Sequence, residues 1–165
     1  MKHKDIWTDT IHGVPIEIVR WQLGDKKIWN YYIFLNKNAF TKEDWKRIVP
    51  RRKRLYSTRE PSYQYYKSPI ADLSWHGGIS YFEDVGRNTI KAGCDYNHTW
   101  DERMTYDEEY VLAEAKKTVK DLIAVFPDMK QRCLGDGVWR PLSDFDEGAT
   151  ISKTFRSKEK YNGKS

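Results

Sequence analysis

Two segments in the middle of this chain predict its fold, Leu73-Ser-Trp-His-Gly-Gly-Ile-Ser-Tyr-Phe82 and Thr89-Ile-Lys-Ala-Gly-Cys-Asp-Tyr96. Both are rich in β-branched and aromatic residues, and the turn-forming sequence Glu83-Asp-Val-Gly-Arg-Asn88 separates them. They are therefore expected to pair as an antiparallel β-hairpin. A turn at that place pairs residues whose numbers sum to roughly 171, so that His76 faces Asp95 on one side of the sheet.

The first third of the chain predicts another hairpin, followed by a short helix. Val14 to Trp21 alternates apolar and polar residues, and Ile28 to Leu35 is a run of aliphatic and aromatic residues. Thr41 and Asp44 have the spacing of a helix N-cap with an acidic residue three positions later. This pattern predicts a helix from about Lys42 to Ile48.

A longer helix is expected after the central hairpin. Thr105-Tyr-Asp-Glu108 has the form of a capping box, and apolar residues then recur at helical spacing as far as Phe126. The pattern predicts an amphipathic helix of five to six turns that covers one face of the sheet, with Glu114, Lys117 and Lys120 facing water. The fold class is therefore α+β: an antiparallel sheet of two or more hairpins, packed against one long helix and accompanied by a short one.

Length and composition predict a single domain. The chain has 165 residues and no internal repeat or linker-like segment. Residues 1–148 are expected to form one compact α+β domain, and residues 149–165 a polar, flexible tail. No apolar run approaches the roughly 20 residues that span a bilayer, and the N-terminus lacks a signal-peptide core, so a cytoplasmic protein with no membrane partner is expected. The two cysteines are not closely spaced, which predicts free thiols.

The formal net charge is +5, and part of the excess lies in one irregular stretch between residues 50 and 67. This stretch predicts a long surface loop. A phosphate backbone or another phosphate-bearing ligand could be bound there by basic and aromatic side chains, namely Arg51, Arg52, Arg54, Tyr65 and Tyr66. The alternative is a solvated loop with no ligand, and no RNA-binding or helix-turn-helix signature decides between the two.

The residues best suited to chemistry are His76, Asp95, His98 and Asp101. Two imidazoles and two carboxylates suit a divalent metal such as Zn²⁺, Mn²⁺ or Fe²⁺ with a position left for water. A histidine oriented by an aspartate could equally act as a general base without a metal. A third reading makes all four structural, with the histidine packed in the core and the aspartates capping turns.

The glycines and tryptophans beside these residues have two readings. Gly77 and Gly78 predict a bulge or a close approach to the backbone, which would leave space for a pocket. Trp75 and Trp100 either shape that pocket or fill core space beside the glycines. We expect His76, Asp95 and His98 to share one pocket at the edge of the sheet, near the N-terminus of the long helix.

Trp75-His-Gly-Gly-Ile-Ser-Tyr81 and Gly93-Cys-Asp-Tyr-Asn-His-Thr-Trp-Asp101 resemble the motifs of a group of small uncharacterised bacteriophage and prophage proteins. Those motifs are His-Gly-Gly-hydrophobic-Ser/Thr-Tyr and Gly-x-Asp-x-x-His-x-x-Asp. The resemblance covers residues 74–126 and implies a shared set: His76, Gly77, Gly78, Asp95, His98 and Asp101. Members often carry a cysteine directly after the first aspartate, where this chain has Tyr96, so the resemblance implies no thiol at that place.

Three functions are consistent with these patterns. The first is a phage accessory enzyme that hydrolyses a phosphate-bearing substrate by metal-assisted or acid/base chemistry. The second is a counter-defence protein that binds and blocks a host factor, such as a defence nuclease complex. The third is nucleic-acid binding through the basic loop without chemistry. A phage protein of any of these kinds would work in the cytoplasm of the host cell.

Overall fold

The computed structural model describes residues 2–49, 67–133, 135–145 and 152–157. Eight strands and two α-helices lie in these ranges. In chain order they are β1 (Lys2–Ile11), β2 (Val14–Leu23), β3 (Lys26–Asn36), α1 (Lys42–Ile48), β4 (Tyr81–Gly86), β5 (Thr89–Asp95), α2 (Glu108–Val125), β6 (Lys130–Arg132), β7 (Trp139–Pro141) and β8 (Ser152–Ser157). The basic loop, with Arg51, Arg52, Arg54, Tyr65 and Tyr66, lies outside the described residues.

The main sheet has six strands in the order β4-β5-β3-β2-β1-β8, and every neighbouring pair is antiparallel. β6 and β7 form a separate hairpin. With α1 and α2 this architecture confirms the predicted α+β class. No helix in the described part of the chain is both long and apolar enough to cross a membrane.

The first predicted hairpin is confirmed as β2 and β3, but the sequence patterns missed β1. β1 pairs with β2 along its whole length through a two-residue turn, His12-Gly13, in which both φ angles are positive. Asp5 and Asp9 occupy inward positions of β1, alternating with Trp7 and Ile11. Because these acidic residues interrupt the apolar alternation, the strand has no clear signature in the sequence.

The core lies between the sheet and α2, which packs across β3 and β2. The inward positions of β3 include Tyr31, Ile33 and Leu35, all fully buried. The helix contributes Val111, Ala115, Thr118, Val119 and Leu122. Full burial of each large aliphatic side chain contributes about 1.5–3 kcal/mol, so this interface accounts for much of the stability.

The central hairpin forms, but the predicted register and the predicted start of its first strand are wrong. β4 begins at Tyr81, which pairs with Gly93, so the paired residue numbers sum to 174. Residues 73–80 are not a strand. Gly77 and Gly78 have φ angles of +68° and +98°, and a chain with that conformation cannot continue as an extended strand.

The long helix is confirmed, although it begins later than the capping box predicts. Asp107, not Thr105, is the N-cap, and its side chain accepts a hydrogen bond from the backbone N–H of Tyr110. α2 then runs for 18 residues, about five turns. Lys117 and Lys120 are exposed as expected, but Glu114 is half-buried and faces the site described below.

The C-terminal segment differs from the predicted polar tail. Ser152–Ser157 forms β8 and pairs with β1 at the edge of the main sheet. The predicted tail is not free of secondary structure.

Tyr31 links the sheet to the helix through a hydrogen bond that can be tested. Its hydroxyl lies 2.7 Å from Thr118 Oγ1 in the core, and Thr118 also donates to the Ser74 carbonyl. Tyr31→Phe is expected to lower the free energy of unfolding by about 1 kcal/mol, because Thr118 keeps its second partner. Urea denaturation measures the change. Tyr110→Phe, at an exposed position, is the control and should have no effect.

Candidate metal centre

Four backbone segments bring the candidate residues together. His76 lies in the loop before β4, directly after Trp75, whose indole N–H donates to the Ile70 carbonyl and anchors the loop in the core. His98 caps a 3₁₀ turn, Thr99–Arg103, which follows β5 and carries Asp101. The remaining segments are the end of β5, followed by Tyr96, and the second turn of α2 with Glu114.

Asp101 is the centre of the cluster, and its side chain is 3% exposed. Its Oδ1 lies 2.8 Å from His76 Nε2 and accepts from the Tyr106 hydroxyl at 2.5 Å. Its Oδ2 accepts from the backbone N–H of His98 and lies 2.9 Å from His98 Nδ1. Burial alone would raise the pKa of the Asp101 carboxyl, but these hydrogen bonds, first among them that from Tyr106, lower it to about 2.

His76 is held between two carboxylates and against an aromatic ring. Its Nδ1 lies 2.8 Å from Glu114 Oε1, and its Nε2 faces Asp101. The imidazole stacks on the Tyr96 ring, with a centroid distance of 3.7 Å and an interplanar angle of 13°. The Tyr96 hydroxyl donates to the same Glu114 oxygen at 2.6 Å. Position and orientation of the His76 ring are therefore fixed on three sides.

Burial and the bond to Glu114 both keep Tyr96 in its phenol form. Burial raises the pKa of Tyr96 far above its usual range, and the adjacent carboxylate raises it further. Burial likewise raises the pKa of Tyr106, with Asp101 as the second cause. Both hydroxyls therefore donate to the carboxylates at any ordinary pH, which stabilises the cluster in a single hydrogen-bonded arrangement.

His98 is more open than His76, with 23% of its side chain exposed. Its ring stacks on Trp100 at a centroid distance of 4.4 Å, nearly parallel. It also lies directly against Gly77, where an added Cβ would be 2.4 Å from His98 Cε1. The glycine after His76 is thus required by the position of the second histidine. No hydrogen bond to His98 Nε2 is found among the described residues.

Asp95 does not join this cluster, contrary to the sequence prediction. It pairs with Asn30 across β3 and β5, and its Oδ1 accepts from the Asn97 backbone N–H. Side chains alternate along a strand, so Asp95 points to the opposite face from its neighbours Cys94 and Tyr96, both of which are buried against α2. His76 therefore meets Tyr96, one residue further on, instead of Asp95.

The two tryptophans and Gly78 have separate places. Trp75 is buried and stacks on Tyr31 in the core, as one of the two readings expected. Trp100 is 57% exposed, so its placement in the core is wrong. Gly78 has nothing within 4 Å of the position of an added Cβ. Its positive φ makes the turn before β4 but does not bring it against the site.

Glu114, Tyr96 and Tyr106 contribute to the cluster and were not identified from the sequence. Glu114 is three residues after the buried Val111 and one before the buried Ala115, so it borders the apolar stripe of α2. That position on a helix predicts a partly buried carboxylate, which needs a partner. Tyr96 follows Cys94 at a spacing of two and therefore shares its face. We find no comparable signal for Tyr106.

A pocket of about 630 Å³ opens beside the cluster. Its walls come from the β2–β3 turn on one side and from residues 96–106 on the other. His98 and Asp101 line it together with Trp29, Tyr96 and Tyr106. The volume is within the range of small-molecule sites in proteins.

Three residues place ligand atoms close enough for one ion. One atom from each of His76, His98 and Asp101 lies within 4.8 Å of the other two. Ligand atoms around a tetrahedral Zn²⁺, at 2.0–2.2 Å from the ion, are about 3.4 Å apart. His76 and His98 contact different oxygens of Asp101, at 2.8 and 2.9 Å, so the three side chains would have to shift to surround such an ion.

The chain as a whole matches no family model, no curated protein and no solved structure. Its geometry defines an α+β protein with a partly buried two-histidine, one-carboxylate cluster beside a pocket.

Proposed function

We propose that this protein is a metal-dependent hydrolase, in which His76, His98 and Asp101 bind a divalent cation and the adjacent pocket receives a phosphate-bearing substrate. The observation that carries the proposal is the convergence of these three ligand atoms within 4.8 Å. As its sequence motifs imply, we further propose that it is a phage-encoded accessory protein.

The contacts of His76 support the assignment of ligands. Histidines that bind metals through one ring nitrogen almost always donate the other N–H to a carboxylate or carbonyl. If Nδ1–H donates to Glu114, the neutral ring would offer its Nε2 lone pair to an ion held between it and Asp101. Glu114 is itself held by the Tyr96 hydroxyl. The arrangement of His76 is that of a metal ligand with its supporting carboxylate already in place.

Three protein ligands leave coordination positions for water and substrate. Two imidazoles and a carboxylate suit Zn²⁺, Mn²⁺ or Fe²⁺. A bound ion would lower the pKa of a coordinated water and polarise a phosphoryl oxygen. The chain itself supplies the orientation of the ligands, the wall of the pocket and the Tyr106 hydroxyl beside Asp101.

A metal-free mode of hydrolysis uses the same residues. Asp101 holds His98 through Nδ1, which leaves Nε2 as the nitrogen that can accept a proton from water. In this mode His98 is the general base and Asp101 orients it. The two modes differ in their dependence on metal, so one set of assays separates them.

The test begins with metal analysis of protein purified without an affinity tag, followed by calorimetric titration with Zn²⁺ and Mn²⁺. We expect one equivalent of metal to bind and a phosphodiester such as bis(p-nitrophenyl) phosphate to be hydrolysed. His98→Ala should abolish hydrolysis and weaken metal binding. His3→Ala, which removes a histidine on β1 outside the cluster, is the matched control and should retain both.

Each outcome assigns the function. Turnover that survives removal of metal by a chelator, and is lost in His98→Ala, supports the metal-free mode. If the wild-type protein shows no metal binding and no turnover, the hydrolase is contradicted. A stoichiometric host protein captured by such an inactive protein would instead support the blocking function.

A further inference from the structure

Trp100 is an exposed aromatic ring fixed against a residue of the proposed site. It is 57% exposed, and its ring lies nearly parallel to that of His98 with centroids 4.4 Å apart. A ring this exposed contributes little hydrophobic stabilisation to the fold, because most of its apolar surface stays in contact with water. An aromatic ring held in one orientation at the edge of a pocket is a platform on which a flat, polarisable group can stack.

Two further exposed apolar side chains border the same region. Met104 is 53% exposed and lines the pocket, while Tyr110 is 45% exposed and packs against Tyr106 at a centroid distance of 5.1 Å. Together with Trp100 they form a rim, which we call the aromatic rim. Of these three residues only Met104 lines the pocket itself; Trp100 and Tyr110 lie behind the lining residues His98 and Tyr106, on whose rings they pack.

The start of β3 contributes cationic residues to the pocket lining. Lys26 and Lys27, at the start of β3, line the pocket and are exposed. Neither forms an ion pair with any residue that the structure describes. Asp25 and Glu102 also line the pocket, so its charge is mixed. This mixture suits one phosphate bound at the lysines better than a polyanion spread across the surface.

The geometry points to a nucleotide unit as the ligand of this pocket, with its base stacked on Trp100 and its phosphate bound by Lys26 or Lys27. This inference rests on the proposed function, because it names the phosphate-bearing substrate of that site. A nucleotide is a phosphate ester that carries a flat aromatic group, and it therefore matches both contacts. The pocket volume of about 630 Å³ admits a single nucleotide or the end of a single strand, but not a double helix.

Calorimetry with four probes tests the inference: AMP, adenosine, ribose 5-phosphate and a hexamer of deoxyadenylate. Titrations are done with a chelator present, which prevents metal-dependent turnover, and repeated with Zn²⁺. AMP should bind at least about tenfold more tightly than adenosine or ribose 5-phosphate, because each of these lacks one of the two contacts. A hexamer that binds at least about tenfold more tightly than AMP identifies the end of a strand as the source of the nucleotide. Equal or weaker binding identifies the free nucleotide.

Variants separate the two contacts. Trp100→Ala should weaken AMP binding by about 5- to 100-fold and leave ribose 5-phosphate unchanged, whereas Trp100→Phe should retain most of the affinity. The Lys26→Gln, Lys27→Gln double variant should weaken AMP but not adenosine. Lys117→Gln, an exposed lysine on α2, is the control and should match the wild-type protein.

The results also distinguish this inference from the proposed hydrolase. If the protein binds metal and hydrolyses the phosphodiester but binds none of the four probes, or if Trp100→Ala binds AMP as the wild-type protein does, the nucleotide inference is overturned and the hydrolase stands. If AMP binds as expected to a protein with neither metal nor turnover, the nucleotide site is supported and the hydrolase is overturned.

Discussion

Asp101→Asn is expected to lower the free energy of unfolding of the metal-free protein by about 3–5 kcal/mol, the cost of removing one member of a buried charged network. Asp101 contacts four polar groups with its two carboxylate oxygens: it accepts from the His98 backbone N–H and the Tyr106 hydroxyl, and it faces one ring nitrogen of each of His76 and His98. An asparagine of the same shape has one oxygen and one NH₂ group. Depending on its orientation, the NH₂ group would face either the polar groups of His98 or those of His76 and Tyr106. Two bonds would be lost, and buried donors would be left without acceptors.

Asp95→Asn is the matched control for this substitution. Asp95 makes one local hydrogen bond, to the Asn97 backbone N–H, on the other face of the sheet, and an asparagine oxygen can replace it. Its loss of stability should be below about 0.5 kcal/mol, and its metal affinity should be that of the wild-type protein. Equilibrium urea denaturation in chelator measures both variants. Equal stability losses for the two would contradict the central position given to Asp101.

Gly77→Ala is expected to destabilise the protein by about 2–4 kcal/mol and to reduce metal affinity as well. The φ angle of +68° is strained for alanine, and the new Cβ would lie 2.4 Å from His98 Cε1 and 2.6 Å from Nε2. His98 is held by Asp101 and Trp100, so it can move away only by breaking the hydrogen bond or the stack. Denaturation and calorimetric metal titration are the two measurements.

Gly78→Ala separates backbone strain from contact with His98. Gly78 also has a positive φ, +98°, but nothing lies within 4 Å of an added Cβ. This variant should lose stability through strain alone and keep its metal affinity. If Gly77→Ala binds metal as tightly as Gly78→Ala, the contact between Gly77 and His98 does not position the ligand.

The sequence by itself determined those elements whose signal is local. α1 follows from the Thr41 cap and the spacing of Trp45 and Ile48, and the residues of α2 follow from a stripe of apolar positions at helical spacing. β2 and β3 follow from alternation and a turn at Gly24. Each of these signals spans one helix or one hairpin, so no knowledge of distant residues is needed.

The tertiary structure decided which side chains meet. A glycine turn at Gly77 and Gly78 delays the start of β4 to Tyr81 and changes the register, so His76 stacks on Tyr96 and Asp95 points to the other face. Since side chains alternate along a strand, a register change by an odd number of residues, here from a sum of about 171 to 174, exchanges the faces. Glu114 joins the cluster only because α2 packs across the sheet 38 residues after His76. Such contacts depend on register and packing between distant segments, and no local pattern encodes them.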